Sequence, residues 1–321
     1  MASKKYAVAY RQDGGRPWMG LPGVTTSGGD LQTMFKNAGL ADWNMQKRLI
    51  DTGAFTDSPD FEIVRDNPAE GGRLERLHVS KERYELYPNE NVLAFVDNVA
   101  FGNLEADAMG TLNNGRKVFM SFKVGDDVEV KGTDDKIATY LHVRTSHDGS
   151  WAFGTYSGQY RLACQNQLTS IKANAISSFT IRHTKTMEGR VEDARVALGL
   201  SIKQSDLFLT DMAVLADSKM TDSKFWALVK DIYPEPQKDV KGSKAKWESK
   251  TDTIMGLWNG PTVANLDKNA YRAYNALNEE LMWYATVRAG NVENALARTT
   301  GFDATTQRHN VDLYRKVLAA A

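Results

Sequence analysis

The sequence has little cysteine, no long apolar run and no excess charge of either sign. Its 321 residues include one cysteine, Cys164, which excludes an internal disulfide framework and favours a reducing compartment. No uninterrupted apolar run reaches the roughly 18 residues that a membrane-spanning helix needs. The 40 basic and 40 acidic residues give a formal net charge of zero. Overall charge therefore does not drive binding to nucleic acid, and such binding requires a local basic surface.

The N-terminus also lacks the features of a targeting segment. Lys4 and Lys5 are not followed by an apolar core, so no secretory signal is predicted and a cytoplasmic location is expected. Residues 11–29 are rich in glycine and proline around Trp18, which indicates an extended arm.

Hairpins dominate the middle of the chain. Asn113-Asn114-Gly115 lies between residues of alternating hydrophobicity and predicts a tight hairpin, because these turn residues tolerate positive φ. His147-Asp148-Gly149 predicts a second turn, between strands at 137–144 and 151–156, and Tyr160, Leu162 and Cys164 indicate another strand. Helices are predicted at 31–38 and 88–100.

The C-terminal third has helical periodicity instead. Helices are predicted through about 191–217, 222–232 and 266–288, and the lysine-rich segment 237–250 is predicted to be an exposed loop. The expected fold class is α+β: an antiparallel, hairpin-rich sheet flanked by helices, followed by a helical C-terminal region. Two domains are expected, a β-rich core with the N-terminal arm at 1–187 and a helical region at 188–321.

One window has an unusual charge pattern. No Asp or Glu occurs from Gly149 to Met187. This window predicts a groove in which cations contact phosphates, rings stack on bases and amides face the polymer. Its candidate nucleic-acid-binding residues are Arg161, Lys172, Arg182, Lys185, Trp151, Tyr160, Gln165 and Asn166. The alternative is a solvated face whose acidic partners come from elsewhere in the fold, with Asn166 as the N-cap of a helix.

A catalytic interpretation has weaker support. His147, Asp148, Cys164 and His183 are types that bind zinc, and a cysteine beside a histidine could act as a nucleophile. Their spacing is irregular, however, and a turn with a buried core cysteine accounts for the same residues. No phosphate loop, dinucleotide fingerprint or catalytic triad is present. We therefore expect no catalytic residues, no metal and no cofactor.

A series of short motifs resembles a known family. It includes Ser146-His147-Asp148-Gly149-Ser150, Arg161-Leu162-Ala163-Cys164-Gln165-Asn166-Gln167-Leu168 and Ile181-Arg182-His183-Thr184. Over roughly residues 15–200 the order of such motifs resembles the phage/plasmid-like proteins grouped as domain-of-unknown-function family 932. Arg161-Leu162-Ala163 departs conservatively from the Arg-Val-Val-like strand that is usual there. The resemblance implies a prophage or plasmid gene and a bacterial cytoplasm, but no activity.

A more distant similarity links the order of elements and the acid-free window to phage single-strand annealing proteins. It implies a non-catalytic protein of phage or plasmid DNA metabolism that binds single-stranded DNA and promotes annealing and recombination. Such a protein is expected to form a homo-oligomer through its aromatic C-terminal helices and to avoid membranes. The alternatives are a structural or host-partner-binding phage protein without nucleic-acid binding, and a metal-dependent enzyme using His147, Asp148, Cys164 and His183.

Overall fold

A computed structural model describes most of the chain: residues 7–11, 24–26, 30–51, 59–100, 104–162, 167–168, 178–181, 193, 196, 208–284, 297–298 and 300–321. The chain forms two compact units. The first unit consists of Met1–Gly125, Tyr140–Ser157 and Ser177–Leu200, and the second of Asp126–Thr139, Gly158–Ile176 and Ser201–Ala321. The units interleave along the chain, whereas the sequence predicts a single boundary near residue 187.

The described strands are, in chain order, β1 Ala7–Arg11, β2 Val24–Thr26, β3 Gln46–Leu49, β4 Asp60–Asn67, β5 Arg73–Lys81, β6 Leu104–Leu112, β7 Lys117–Glu129, β8 Lys136–Ser146, β9 Phe153–Arg161, β10 Gln167–Leu168 and β11 Ser178–Ile181. The described helices are α1 Leu31–Asn37, α2 Asn89–Ala100, α3 208–217, α4 Asp222–Ile232, α5 Ser243–Trp258, α6 Ala270–Glu279 and α7 Ala304–Ala320. A short π-helical turn, Glu280–Tyr284, follows α6.

The strands form two sheets. The larger has the order β10-β9-β8-β7-β6-β1-β2, with β11 also paired to β9, and the smaller has the order β3-β4-β5. β1 and β2 are parallel, whereas β6 pairs antiparallel with β7 and β4 with both β3 and β5. The expected α+β class, with hairpin-rich antiparallel sheets and a helical C-terminal region, is confirmed.

Turn chemistry fixes both predicted hairpins. Asn113, Asn114 and Gly115 have φ angles of 51°, 54° and 81°, and they connect β6 to β7 with Leu112 opposite Lys117. Gly149, with φ of 70°, lies in the connection from β8 to β9. Both turns are confirmed, but β9 runs unbroken from Phe153 to Arg161, so the two separate strands predicted there are one.

The first unit buries one face of its strands against α1 and α2. Val118 and Met120 of β7 and Leu141 and Val143 of β8 belong to this core. Because side chains alternate across a strand, Lys117, Ser121, His142 and Arg144 lie on the opposite face. That alternation decides which polar side chains of the first unit come together.

The second unit has a helical core around α6. Every residue of α6 is buried, and Asn269 caps the helix by accepting from the Arg272 backbone N–H at 2.9 Å. The loop predicted at 237–250 is wrong from Ser243 onward, where α5 begins. Trp247, Thr251, Ile254 and Trp258 recur every three or four residues, and this apolar stripe is masked by the lysines between them.

Candidate nucleic-acid interface

The eight residues expected to bind nucleic acid do not come together as one described surface. Gln165, Asn166, Lys172, Arg182 and Lys185 lie outside the described residues. Arg161, Tyr160 and Trp151 are described, and only Trp151 keeps exposed surface.

Arg161 lies in the interior of the second unit with no exposed surface. Its Nε donates to the Asp135 carboxylate, and its Nη2 donates to the Asn265 side-chain oxygen at 3.1 Å. The Tyr271 hydroxyl donates to the same Asp135 carboxylate at 2.9 Å. Since a buried guanidinium needs its donors satisfied inside the protein, Arg161 is not presented to a phosphate. This corrects the sequence expectation, and Asp135 is the acidic partner that the acid-free window lacks.

Tyr160 has only 2% of its surface exposed. It belongs to β9, of which all nine residues are buried. A base needs an open ring face to stack on, so the expected stacking role of Tyr160 does not fit its position. The alternation of side chains along the sequence did not reveal this, because both faces of β9 are buried and neither presents its side chains to solvent.

Trp151 lies at one end of the larger sheet, close to two cations. The Lys117 Nζ is 4.7 Å from the centroid of the Trp151 ring, and the Arg144 guanidinium carbon is 5.3 Å from it. All three side chains are half-buried. We call these three residues the Trp151 surface.

The strand order places these residues together. Lys117 is the first residue of β7, Arg144 lies near the end of the neighbouring β8, and Trp151 just precedes β9. The His147 backbone N–H donates to the Arg116 carbonyl at 2.7 Å and joins the two hairpin ends. Lys117 and Arg144 precede the acid-free window, which is why composition did not single them out. The predicted hairpin turns were the signal that could have found them.

Asp148 interacts with the Trp151 surface through the charge of Lys117. Burial lowers the pKa of the Arg144 guanidinium from its ordinary value. Burial tends to raise the pKa of Asp148, but hydrogen bonds from Ser150 and Ser146 and the charge of Lys117 outweigh it, so the Asp148 pKa lies below its usual value.

The alternative metal site is not assembled by His147 and Asp148. His147 is buried, its Nε2 is 2.9 Å from the Asn89 side-chain oxygen, and its ring is 5.6 Å from that of Trp43. Asp148 accepts from the Ser150 backbone N–H at 2.9 Å and shapes the turn. Among the described residues there is no His/Cys/Asp/Glu cluster suited to a metal. Cys164 and His183 lie outside the described residues.

A serine–histidine pair also lies in the first unit. The Ser121 hydroxyl is 2.7 Å from His142 Nδ1, and both side chains are at most 1% exposed. Burial lowers the pKa of His142 to about 3, so the imidazole is neutral at physiological pH. A nucleophile must reach its substrate, and this pair has no surface at which to do so.

The model of the family described as Domain of unknown function (DUF932) matches residues 76–305 of the chain. No curated protein and no solved structure matches it. Across the described part of the chain, no helix has both the length and the apolar content needed to cross a lipid bilayer.

Proposed function

We propose that this protein, which belongs to the DUF932 family, binds single-stranded DNA at the Trp151 surface. The observation that carries the proposal is the half-buried indole of Trp151 close to Lys117 and Arg144, with ring-to-cation distances of 4.7 and 5.3 Å. An aromatic side chain flanked by cations is the arrangement that single-strand-binding proteins use to stack a base and hold its phosphates.

Energetics favour a single strand over a duplex as the ligand. Stacking of one base on an aromatic side chain contributes about 1–3 kcal/mol, and it requires a base face that duplex DNA keeps inside its stack. Lys117 and Arg144 supply phosphate contacts that are independent of sequence. Because one such surface holds few nucleotides, several copies in a homo-oligomer would multiply a weak contact into a useful affinity.

In this proposal the protein acts in DNA metabolism of a phage or plasmid, in the bacterial cytoplasm, and promotes strand annealing and recombination. No catalytic residue is needed, because base pairing itself supplies the free energy of annealing. The protein aligns strands and shields their phosphates from mutual repulsion.

The experiment is a titration of a fluorescently labelled oligothymidylate with the full-length protein over a salt series. Binding should weaken with salt, and the plot of log K against log salt should lose about 0.7 of slope for each phosphate contact removed. Lys117→Gln should lower the affinity and reduce that slope. Lys36→Gln, at an exposed position of α1, is the matched control and should leave both unchanged.

A second measurement addresses annealing. The wild-type protein should speed the pairing of two complementary oligonucleotides, and Lys117→Gln should speed it less. No binding at low salt, or binding without a salt slope, would overturn the proposal, as would equal behaviour of Lys117→Gln and Lys36→Gln.

A further inference from the structure

The second unit has its own pair of partly exposed tryptophans. Trp226 of α4 and Trp247 of α5 have ring centroids 6.2 Å apart, with the ring planes tilted by 51°. Both side chains are half-buried. The indole N–H of Trp247 donates to the Tyr233 carbonyl at 2.8 Å, so the orientation of this ring is fixed by the backbone at the end of α4.

One lysine lies close to the Trp226 ring and another close to the neighbouring ring of Tyr233. The Lys230 Nζ lies 5.5 Å from the centroid of the Trp226 ring, and the Lys250 Nζ lies 4.3 Å from that of Tyr233. Lys250 also pairs with Glu280 at 3.0 Å, which holds it in place. Cations at these distances are attracted to the ring faces and keep positive charge beside them.

The segment that leads into α5 adds more positive charge. From Lys238 to Lys250 the chain contains five lysines and only two acidic residues, Asp239 and Glu248. The Asp239 carboxylate accepts from the Lys244 backbone N–H at 3.1 Å, so it is used at the start of the helix. Lys238, Lys241 and Lys246 are exposed. We call the five lysines from Lys238 to Lys250, together with Trp226, Tyr233, Trp247 and Lys230, the α4–α5 surface.

We infer that the α4–α5 surface is a second contact for single-stranded DNA. This inference rests on the proposed function and adds a binding surface to it. Two tilted, partly open indoles offer faces to unstacked bases, which a duplex does not supply. A run of lysines that extends along the chain beyond the rings suits a polymer of phosphates better than a free nucleotide. A surface of this kind is sequence-tolerant, because every base has a face that can stack.

The test uses the full-length protein and the labelled oligothymidylate. Lys244→Glu/Lys246→Glu should weaken binding roughly tenfold at low salt and reduce the salt slope by about 1.4, since each phosphate contact on a single strand contributes about 0.7. The substitutions place acids in the first turn of α5, where they favour the helix, so unfolding does not explain a loss of binding. The double variant Lys238→Glu/Lys241→Glu changes two lysines that precede the helix. It should also weaken binding and reduce the salt slope.

The matched control is Lys131→Glu/Lys136→Glu, which makes the same change of charge at exposed positions of the second unit. It should change binding less than twofold, because neither lysine belongs to the α4–α5 surface. If both lysine pairs of the α4–α5 surface behave like this control while Lys117→Gln weakens binding, the second surface is absent and the proposed function stands. If the wild-type protein does not bind the oligonucleotide at low salt, the proposed function and the second binding surface are both overturned.

Discussion

The guanidinium of Arg161 donates to the carboxylate of Asp135 where neither side chain has more than 2% of its surface exposed. The two residues lie at the end of β9 and in the turn before β8, and Tyr271 of α6 completes the group through its hydroxyl. A charge pair in this position holds together three segments of the second unit. The pair therefore contributes to the stability of the fold, and we expect substitutions of Arg161 to lower that stability.

Arg161→Met should destabilise the protein by about 3–5 kcal/mol, because it leaves the Asp135 carboxylate buried without its cation. The measurement is urea-induced unfolding. Arg315→Met is the control: it removes an exposed pair with Asp312 whose atoms are 3.5 Å apart, and it should cost less than about 1 kcal/mol. Folded Arg161→Met should keep the wild-type salt slope for DNA binding. Similar stabilities for the two variants would contradict this account.

Gly115→Ala should destabilise the first unit more than its φ angle alone requires. An added Cβ at Gly115 would overlap the Arg65 guanidinium, which is held by Glu75 at 2.9 and 3.0 Å and lies 3.9 Å from the Trp43 ring centroid. Left-handed backbone costs about 1–2 kcal/mol for a residue with a Cβ. Displacing charged hydrogen bonds adds about 1.5–3 kcal/mol.

Gly72→Ala isolates that second contribution. Gly72 has φ of 82°, close to the 81° of Gly115, and an added Cβ would meet no atom within 4 Å. Unfolding of the two variants by urea should therefore differ by the cost of moving Arg65. Equal losses of stability would mean that the Arg65 side chain can be displaced without a cost in free energy.

The stability of the protein should fall in acid because of His142. Burial lowers its folded pKa to about 3 from the ordinary 6.5, so between these pH values the unfolded chain binds a proton that the folded protein does not. The free energy of unfolding therefore decreases as pH falls from 6.5 towards 3, by at most about 1.4 kcal/mol per pH unit from this group. Unfolding measured at several pH values should be less pH-dependent in His142→Gln. If the free energy of unfolding of the two proteins depends on pH in the same way, His142 is not the cause of the pH dependence.

Trp151→Ala should weaken binding of oligothymidylate by about 5- to 150-fold, which corresponds to the loss of about 1–3 kcal/mol of stacking. Trp151→Phe keeps a ring and should lose less than about a third of that free energy. Tyr160→Phe is the contrasting change, because Tyr160 is 2% exposed, and it should leave affinity unchanged. Fluorescence anisotropy at one low salt concentration measures all three. If Trp151→Ala binds as tightly as the wild-type protein, the Trp151 ring does not contact the DNA.

Local signals predicted much of the fold. The Asn-Asn-Gly turn and the helical periods at 31–38 and 222–232 each act over a few residues, and the structure has a hairpin and helices at those places. The start of α5 was missed because its apolar stripe is thin and its surface positions are lysine and serine. The long strand β9 was divided in two because Ser157-Gly158-Gln159 at its centre is typical of a turn, although the strand continues through these residues and buries them.

The sequence by itself determined the turns, the helical periods, the α+β class and the presence of an acid-free cationic window. Only the tertiary structure decided what those cations do. Arg161 and Asp135 are 26 residues apart, and a carboxylate that far along the chain leaves no trace in a local charge pattern. Lys117, Arg144 and Trp151 likewise meet because the neighbouring strands β7, β8 and β9 begin or end at the same end of a sheet. Burial and pairing depend on which distant segments become neighbours, and composition along the chain does not record that.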